Sequence, residues 1–437
     1  MTRIAFIGAG SVIFTKNLLG DILWFPELHD VEIALHDIDA DRLATAEAIA
    51  KATADERRAS PRISAHLDRR EAIDGAHFVL NMVQIGGHEA TLRDFELPAR
   101  YGLRQTIADT LGIGGIFRTL RTADHMLALG EEMAELCPAD AWLLNYTNPM
   151  AMLCWLVYGG TPTQNVVGLC HSVQYTTRDL AEIVGVPPDE VTFLAAGLNH
   201  QAFLLRFERD GESLYPRLDE QLAGDADLQR RVRFALYRRF GYFQTESSEH
   251  AAEYVPWFMR HDGEIERYRV PVDEYVRRSE KNLSEYERVK AALAAGETLP
   301  VSRSIEYASL IVHSMLTGEP RVIYGNVRNV GLLPGLVADS CVEVPCLVDG
   351  TGLRGVPVPE YPPELAALNR TFNNVVELTV RAVLEGRPEL VRHAAMLDPN
   401  AAATLTLDEI DALCDELFAA HAESIPSSLR KKELIAT

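Results

Sequence analysis

The residues best suited to chemistry lie in four short stretches. Cys170-His171 ends the apolar run Val166–Leu169, and Gly197-Leu198-Asn199-His200 follows about thirty residues later. A thiolate and an imidazole are two ligands for a first-row metal and leave open positions for substrate oxygens. Taken singly, each residue also reads as structural, since cysteine is commonly a small buried hydrophobe. A Cys/His nucleophile pair is a further reading, although peptidase signatures and a GxSxG elbow are absent. The third stretch, TESSEHAAEYVPWF at 245–258, places His250 and Glu253 three residues apart on one helical face, which suggests a second metal pair. A solvated helix start capped by Ser248 accounts for them equally well. Tyr254 follows, before an apolar run; on its own it reads as a packed aromatic with a satisfied hydroxyl. In the fourth, LLNYTNP at 143–149, Asn148 is either a ligand contact or a helix cap, and Pro149 suits a first helical turn.

A glycine loop precedes all of these. Ile7-Gly8-Ala9-Gly10-Ser11-Val12-Ile13 follows a strand-like run and opens a helical one, the context in which GxGxxG binds a dinucleotide. Ile13 replaces the third glycine, which serves packing. Gly8 and Gly10 still allow a tight turn and the approach of a pyrophosphate to the helix start at Ser11 and Val12. Asp37 lies 27 positions after Gly10 and suits ribose hydroxyls; with no arginine before Arg42, NAD is favoured over NADP.

The elements that must position these residues alternate. Strand-like runs at 3–8, 31–36, 77–83, 141–146 and 165–170 are interleaved with helical patterns near 12–24, 39–57, 118–136, 149–158 and 176–184. Such alternation predicts an α/β fold, with an amino-terminal, doubly wound parallel sheet of Rossmann type over residues 1–190. Residues 191–437 form a second region: extended segments over Val191–Phe207, helices at 227–240, 273–298, 303–316, 360–386 and 407–421, and short strands broken by Gly and Pro over 320–346. With no long linker, the crevice between the regions is the expected site.

Composition narrows the function. In 437 residues, 47% are hydrophobic and 24% charged, so a packed globular protein is expected. The net charge of −21 disfavours nucleic acid. Six cysteines without a CxxC pair fit reduced thiols and a cytoplasmic location. The first strand starts too early for a secretory signal, and no apolar run approaches the roughly 20 residues of a membrane span.

Together these stretches resemble the family-4 glycoside hydrolases, NAD-dependent glycosidases outside two-carboxylate chemistry. The resemblance spans nearly the whole chain and rests on IAFIGAGSVIFTKNLL (4–19), YGLRQTIADTLGIGGIFRTLRT (101–122), NYTNPMAM (145–152), GLCHSVQ (168–174), GLNH (197–200) and TESSEHAAEYVPWF (245–258). It implies a Rossmann domain joined to a lactate/malate-dehydrogenase-like α/β domain, a homodimer or homotetramer, NAD, and a divalent metal, commonly Mn2+, on Cys170 and His200. Cys170-His171-Ser172-Val173 is similar to the melibiase-type α-galactosidase branch, whereas phosphoglycosidases carry Cys-Asn or Cys-Asp; a 6-phosphosugar is disfavoured. Ile113 departs from the proline frequent at that position.

The resemblance also implies a route: oxidation of the terminal sugar at C3 by NAD, removal of the acidified C2 proton, elimination of the aglycone, addition of water and return of the hydride. It assigns Tyr254 as the base, with the metal or Arg260 stabilising its phenolate, His171 as the acid or a sugar contact, and Asp109, Arg118 and Asn148 as substrate contacts. α-Glucosidase, α-galacturonidase or α-glucuronidase activity in the same family stays open, with Arg118, Arg121 or Arg260 to meet a carboxylate. A 2-hydroxy-acid dehydrogenase or a non-catalytic NAD-binding protein are the alternatives outside it.

Overall fold

A computed structural model of the chain describes residues 1–297 and 299–430. The amino-terminal strands are β1 (Arg3–Ile7), β2 (Glu32–His36), β3 (Arg62–His66), β4 (Phe78–Asn81), β5 (Trp142–Asn145) and β6 (Val166–Gly168). All pair in parallel, in the order β3-β2-β1-β4-β5-β6, the Rossmann arrangement. Helices between them cover both faces, so β1, β2 and β4 read as nearly unbroken apolar runs. The helix Met150–Gly160 is buried along nine consecutive residues, each large apolar side chain contributing roughly 1.5–3 kcal/mol.

The remaining strands are β7 (Thr192–Leu198), β8 (Gln201–Arg209), β9 (Glu212–Ser213), β10 (Phe243–Gln244), β11 (Arg321–Arg328), β12 (Cys341–Asp349) and β13 (Gly352–Gly355). They extend the same sheet, antiparallel, in the order β6-β11-β12-β7-β8-β10. A single row of partners, Gly168, Asn326, Glu343 and Gly197, crosses from β6 to β7. The two regions therefore share one sheet, with no linker between them.

Several elements depart from the expected pattern. β3 and the helix Gly87–Arg100 carry no clear apolar periodicity: β3 is a half-exposed edge strand, and the helix holds several charged residues and Pro98. The segment expected as short strands over 320–346 is two long strands paired over eight positions. Gly325 and Pro345 lie inside them: a Cβ on Gly325 would meet Val167 at 2.8 Å, and the Pro345 carbonyl accepts from Val356. The helix expected from residue 118 begins at Gly112, because its glycines serve packing, not a loop. Cβ atoms on Gly114 and Gly115 would lie 2.7 Å from Ala108 and 2.9 Å from Thr110. Residues 273–298 form the helix Glu274–Ala294, and position 298 lies outside the described residues, as does 431–437. Among the described residues all six cysteines are free thiols, and no helix is long and apolar enough to cross a membrane.

Candidate active site

The ends of β5 and β6, the turn between β7 and β8, and the chain after β10 converge on a cavity of about 240 Å3. Asp109, Asn148, Cys170, His171, Glu246 and His250 line it, with His200 and the aromatics Phe14, Tyr146 and Tyr275. Cys170 follows β6 directly. His200 is the second residue of a two-residue turn closing β7 on β8, where its left-handed backbone (φ 64°) turns the imidazole toward β6. The result is a Cys170 Sγ to His200 Nε2 separation of 3.3 Å. Metal–sulfur and metal–nitrogen bonds of about 2.3 and 2.0 Å place two ligands of one ion roughly 3 to 3.6 Å apart, so the pair fits a shared cation. Glu246 adds a carboxylate 3.9 Å from the same nitrogen, and the ligand atoms of Cys170, His200 and Glu246 lie within 4.8 Å of one another.

His250 points into the site, 3.5 Å from both Asp109 and Glu246, while its expected partner Glu253 turns away. The buried Glu253 carboxylate accepts from the N–H groups of Thr106, Ile107 and Ala108. It is a brace for the loop that delivers Asp109. The cap of this short helix is Ser247, one residue earlier than expected; its hydroxyl accepts from the His250 N–H. Asn148 is not a cap either, since Pro149 occupies that position and the Asn148 amide donates to Asp109 at 3.1 Å.

Charge is arranged unevenly. Burial and the neighbouring His250 lower the His200 pKa to about 4, leaving it neutral and able to bind a cation. Burial, with Glu246 and Glu343 nearby, holds the Cys170 thiol well above its usual range, so its proton leaves only against a positive charge. Burial lowers His250, but Glu246 and Asp109 outweigh it and its pKa rises. For Asp109 burial acts upward, yet His250, Arg118 and His200 hold the carboxyl well below the usual carboxylate range. His171 donates through Nδ1 to Glu306 at 2.9 Å and packs edge-on to Tyr175; burial lowers its pKa, but Glu306 raises it further.

Two expected residues stand elsewhere. Arg260 is exposed on the surface, its carbonyl bound by Arg104, and it does not line the cavity; it is not placed to steady a Tyr254 phenolate. Tyr254 is fully buried behind the cavity against Phe372, 6.1 Å ring to ring from His250. Burial and the charges of Asp109 and Glu253 push its pKa up. Arg118 is buried beside the site, donating to the Asn148 carbonyl at 3.1 Å and to the Tyr275 hydroxyl at 3.0 Å. Arg121 is locked to Asp94 by two hydrogen bonds. Glu246, Glu306, Tyr146 and Tyr275 complete the site unannounced. Glu246 and Tyr146 lie inside quoted motifs, but Glu306 and Tyr275 arrive by long-range folding without a local signal.

At the carboxyl end of β1, on the same edge of the sheet, the glycine loop has the expected shape. Gly8 is left-handed (φ 86°), and a Cβ on Gly10 would sit 2.4 Å from Asp37 Oδ2, which instead accepts the Gly10 N–H at 2.8 Å. Ser11 precedes the helix that starts at Val12 and makes no side-chain cap, leaving the first N–H groups to face a phosphate. Arg42 shares this corner, donating to the Gly10 carbonyl and stacking 4.1 Å from the Tyr286 ring, with Asp37 still present to repel a 2′-phosphate.

A Rossmann sheet whose strand ends gather a thiol, imidazoles and carboxylates around an open cavity defines a dinucleotide-fold enzyme. Residues 3–186 match the family model described as Family 4 glycosyl hydrolase, and 195–401 match the Family 4 glycosyl hydrolase C-terminal domain. The chain belongs to family 4 of the glycosyl hydrolases. It is 43% identical over 434 residues to an alpha-galactosidase of Bacillus subtilis (strain 168), covering 98% of this chain and 99% of that one. An alpha-galactosidase of Rhizobium meliloti (strain 1021) is 34% identical, with 97% and 89% covered. In shape the chain is similar to a 6-phospho-alpha-glucosidase from gut microorganisms in complex with NAD and Mn2+ (TM-score 0.80, 19% identity, 97% of this chain and 99% of that one). The fold likeness extends to malate dehydrogenase from Plasmodium falciparum (TM-score 0.53, 13% identity, 90% and 100% covered), so the antiparallel half is of lactate/malate-dehydrogenase type.

Proposed function

We propose that this chain hydrolyses a terminal, non-phosphorylated α-galactoside with the help of NAD and a divalent cation such as Mn2+. The observation that carries the reading is the 3.3 Å approach of Cys170 Sγ to His200 Nε2 at the strand ends of a Rossmann sheet. When bound, NAD supplies reversible hydride transfer at the sugar's C3 and the metal supplies Lewis acidity toward the adjacent oxygens. Gly8, Gly10, Ser11 and Val12 cradle the pyrophosphate, and Asp37 receives the ribose hydroxyls. Cys170 and His200 hold the cation. Asp109 and Asn148, already bonded to each other, orient the sugar, with Arg118 behind them fixing the Asn148 carbonyl. His171, whose proton Glu306 retains, protonates the departing glycosidic oxygen. The family resemblance assigns the C2 proton to Tyr254, which stands behind the cavity wall beside His250. Tyr275 is the competing base, because its hydroxyl receives an N–H from the Arg118 cation at the cavity wall.

Acidic lining supports a neutral sugar. Glu246 and Asp109 oppose a phosphate, Arg121 is neutralised by Asp94 and Arg260 is remote; Arg278 on the cavity lining is paired with Glu274, and Arg118 is engaged by Asn148 and Tyr275, so neither is left free for a uronate. The identity to alpha-galactosidases favours that sugar over the glucoside. Free thiols support a reducing, cytoplasmic location, and we assign the chain a homodimeric or homotetrameric state from its family. Residues 1–190 are proposed as the NAD-binding domain and 191–437 as the substrate and metal domain. The test is turnover of nitrophenyl α-galactoside, α-glucoside and α-galacturonide with NAD, Mn2+ and dithiothreitol added singly and together. The galactoside should be fastest, all three additives should be needed, and no NADH should accumulate. A stoichiometric yield of NADH would make the chain a dehydrogenase.

A further inference from the structure

Thr110 precedes the glycine-rich start of the helix Gly112–Leu136 and is buried against it. Its hydroxyl touches two site residues at once: Asp109 Oδ1 at 2.7 Å and His200 Nδ1 at 2.9 Å. A threonine hydroxyl carries one hydrogen and two lone pairs. Asp109 receives donors on both oxygens, the Asn148 amide on Oδ2 and the Thr110 hydroxyl on Oδ1, the pattern of a carboxylate, so the Thr110 hydrogen goes to Oδ1. The contact with His200 must then run the other way, from Nδ1–H to the Thr110 oxygen. In the neutral imidazole, the form that binds a metal, that leaves Nε2 without a hydrogen, and Nε2 is the nitrogen that faces Cys170.

We propose that Thr110 is a positioning residue that fixes His200 as the Nδ1–H tautomer, through the chain His200 Nδ1–H to Thr110 Oγ1–H to Asp109 Oδ1, so that the Nε2 lone pair is presented to the metal. The proposal rests on the reading of Cys170 and His200 as metal ligands. Its geometry is held from two sides. Glu253 binds the N–H groups of Thr106, Ile107 and Ala108, and Ala108 takes a left-handed turn (φ 50°) into Asp109 and Thr110. From below, Gly114 and Gly115 let the backbone of 108–110 come closer than any Cβ would permit. A wrong tautomer would place a hydrogen on Nε2, against the cation, and strand Nδ1 against an oxygen that must then rotate its hydrogen away from Asp109.

Two measurements test this on the whole chain with NAD and without sugar. Nitrogen-15 NMR of the metal-free protein, with His200 assigned by its loss in His200→Gln, should show a protonated Nδ1 and a bare Nε2; a protonated Nε2 with a bare Nδ1 overturns the proposal. Titration calorimetry with Mn2+ should give roughly 10- to 100-fold weaker binding for Thr110→Val. Thr110→Ser, which keeps the hydroxyl, should bind close to wild type, and both variants should keep their NAD affinity. Cys170→Ser separates the two claims. If it loses Mn2+ affinity while Thr110→Val does not, the relay is wrong and the metal site stands. If Cys170→Ser binds Mn2+ as wild type does, the metal site is wrong and the relay falls with it. Should Thr110→Val fail to fold, the wild-type tautomer decides alone.

Discussion

Glu253 and Glu343 are buried carboxyl groups with opposite duties. Glu253 holds three consecutive N–H groups of the loop that carries Asp109; Glu253→Ala strands them, and at 1–3 kcal/mol for each unsatisfied buried donor the loss should be about 3 kcal/mol or more in urea unfolding. Glu343 lies behind the site between Asn326 and Gly197, and burial raises its pKa from 4.5 to about 8. The folded protein thus keeps a proton that the unfolded chain releases, and this contribution to stability falls as pH rises from about 4.5 to 8. Glu343→Gln keeps the shape without the proton. Its stability relative to wild type, by denaturant unfolding of the metal-free protein, should rise across that window and level off above it; a pH-independent difference would contradict the assignment. Tyr254→Phe should abolish turnover with NAD binding intact, whereas activity that survives it but not Tyr275→Phe would move the base to Tyr275. At this scale the metal pair, Asp109, Asn148 and His171 were legible as motif residues. Glu306 and Tyr275 were not, because each is brought to the cavity by contacts more than 130 residues away in sequence.

Elements were legible where burial imposes a period. Apolar runs such as Ile4–Ile7 and Leu143–Leu144 marked strands buried on both faces, but the half-exposed β3 and the charged helix Gly87–Arg100 left no such trace. Glycines misled in two places for one reason. Gly112–Gly115 resemble a loop, and Gly325 a strand break, yet both serve close approach within regular elements. Gly10 is the case with a functional consequence. In Gly10→Ala the Cβ would collide with Asp37 Oδ2 and with the Arg42 side chain, so the carboxylate must leave the place where ribose is expected. NAD affinity by calorimetry should fall at least about tenfold, which corresponds to 1.4 kcal/mol, while Mn2+ binding changes little. Equal losses of both would mean that the loop supports the whole fold rather than the cofactor.

Across the whole molecule, the continuous sheet makes the two regions depend on each other. β6 would expose its edge without β11, and the helix Met150–Gly160 packs under the helix Pro363–Glu385. Calorimetric unfolding should show one cooperative transition, and residues 1–190 alone should fail to fold stably; two separated transitions would contradict this coupling. The same continuity explains why the site forms: four strands, joined at the row Gly168, Asn326, Glu343 and Gly197, set the spacing between Cys170 on one edge and His200 on the other. That row is a property of long-range pairing, so the sequence pointed to both ligands but not to their contact. The reaction assigned to this contact is most directly tested by hydrolysis of nitrophenyl α-galactoside in deuterated water with NAD, Mn2+ and dithiothreitol. The galactose released should carry deuterium at C2, with none in Cys170→Ser because it does not turn over. Galactose released at full rate with hydrogen retained at C2, or hydrolysis that needs no NAD, would contradict the account.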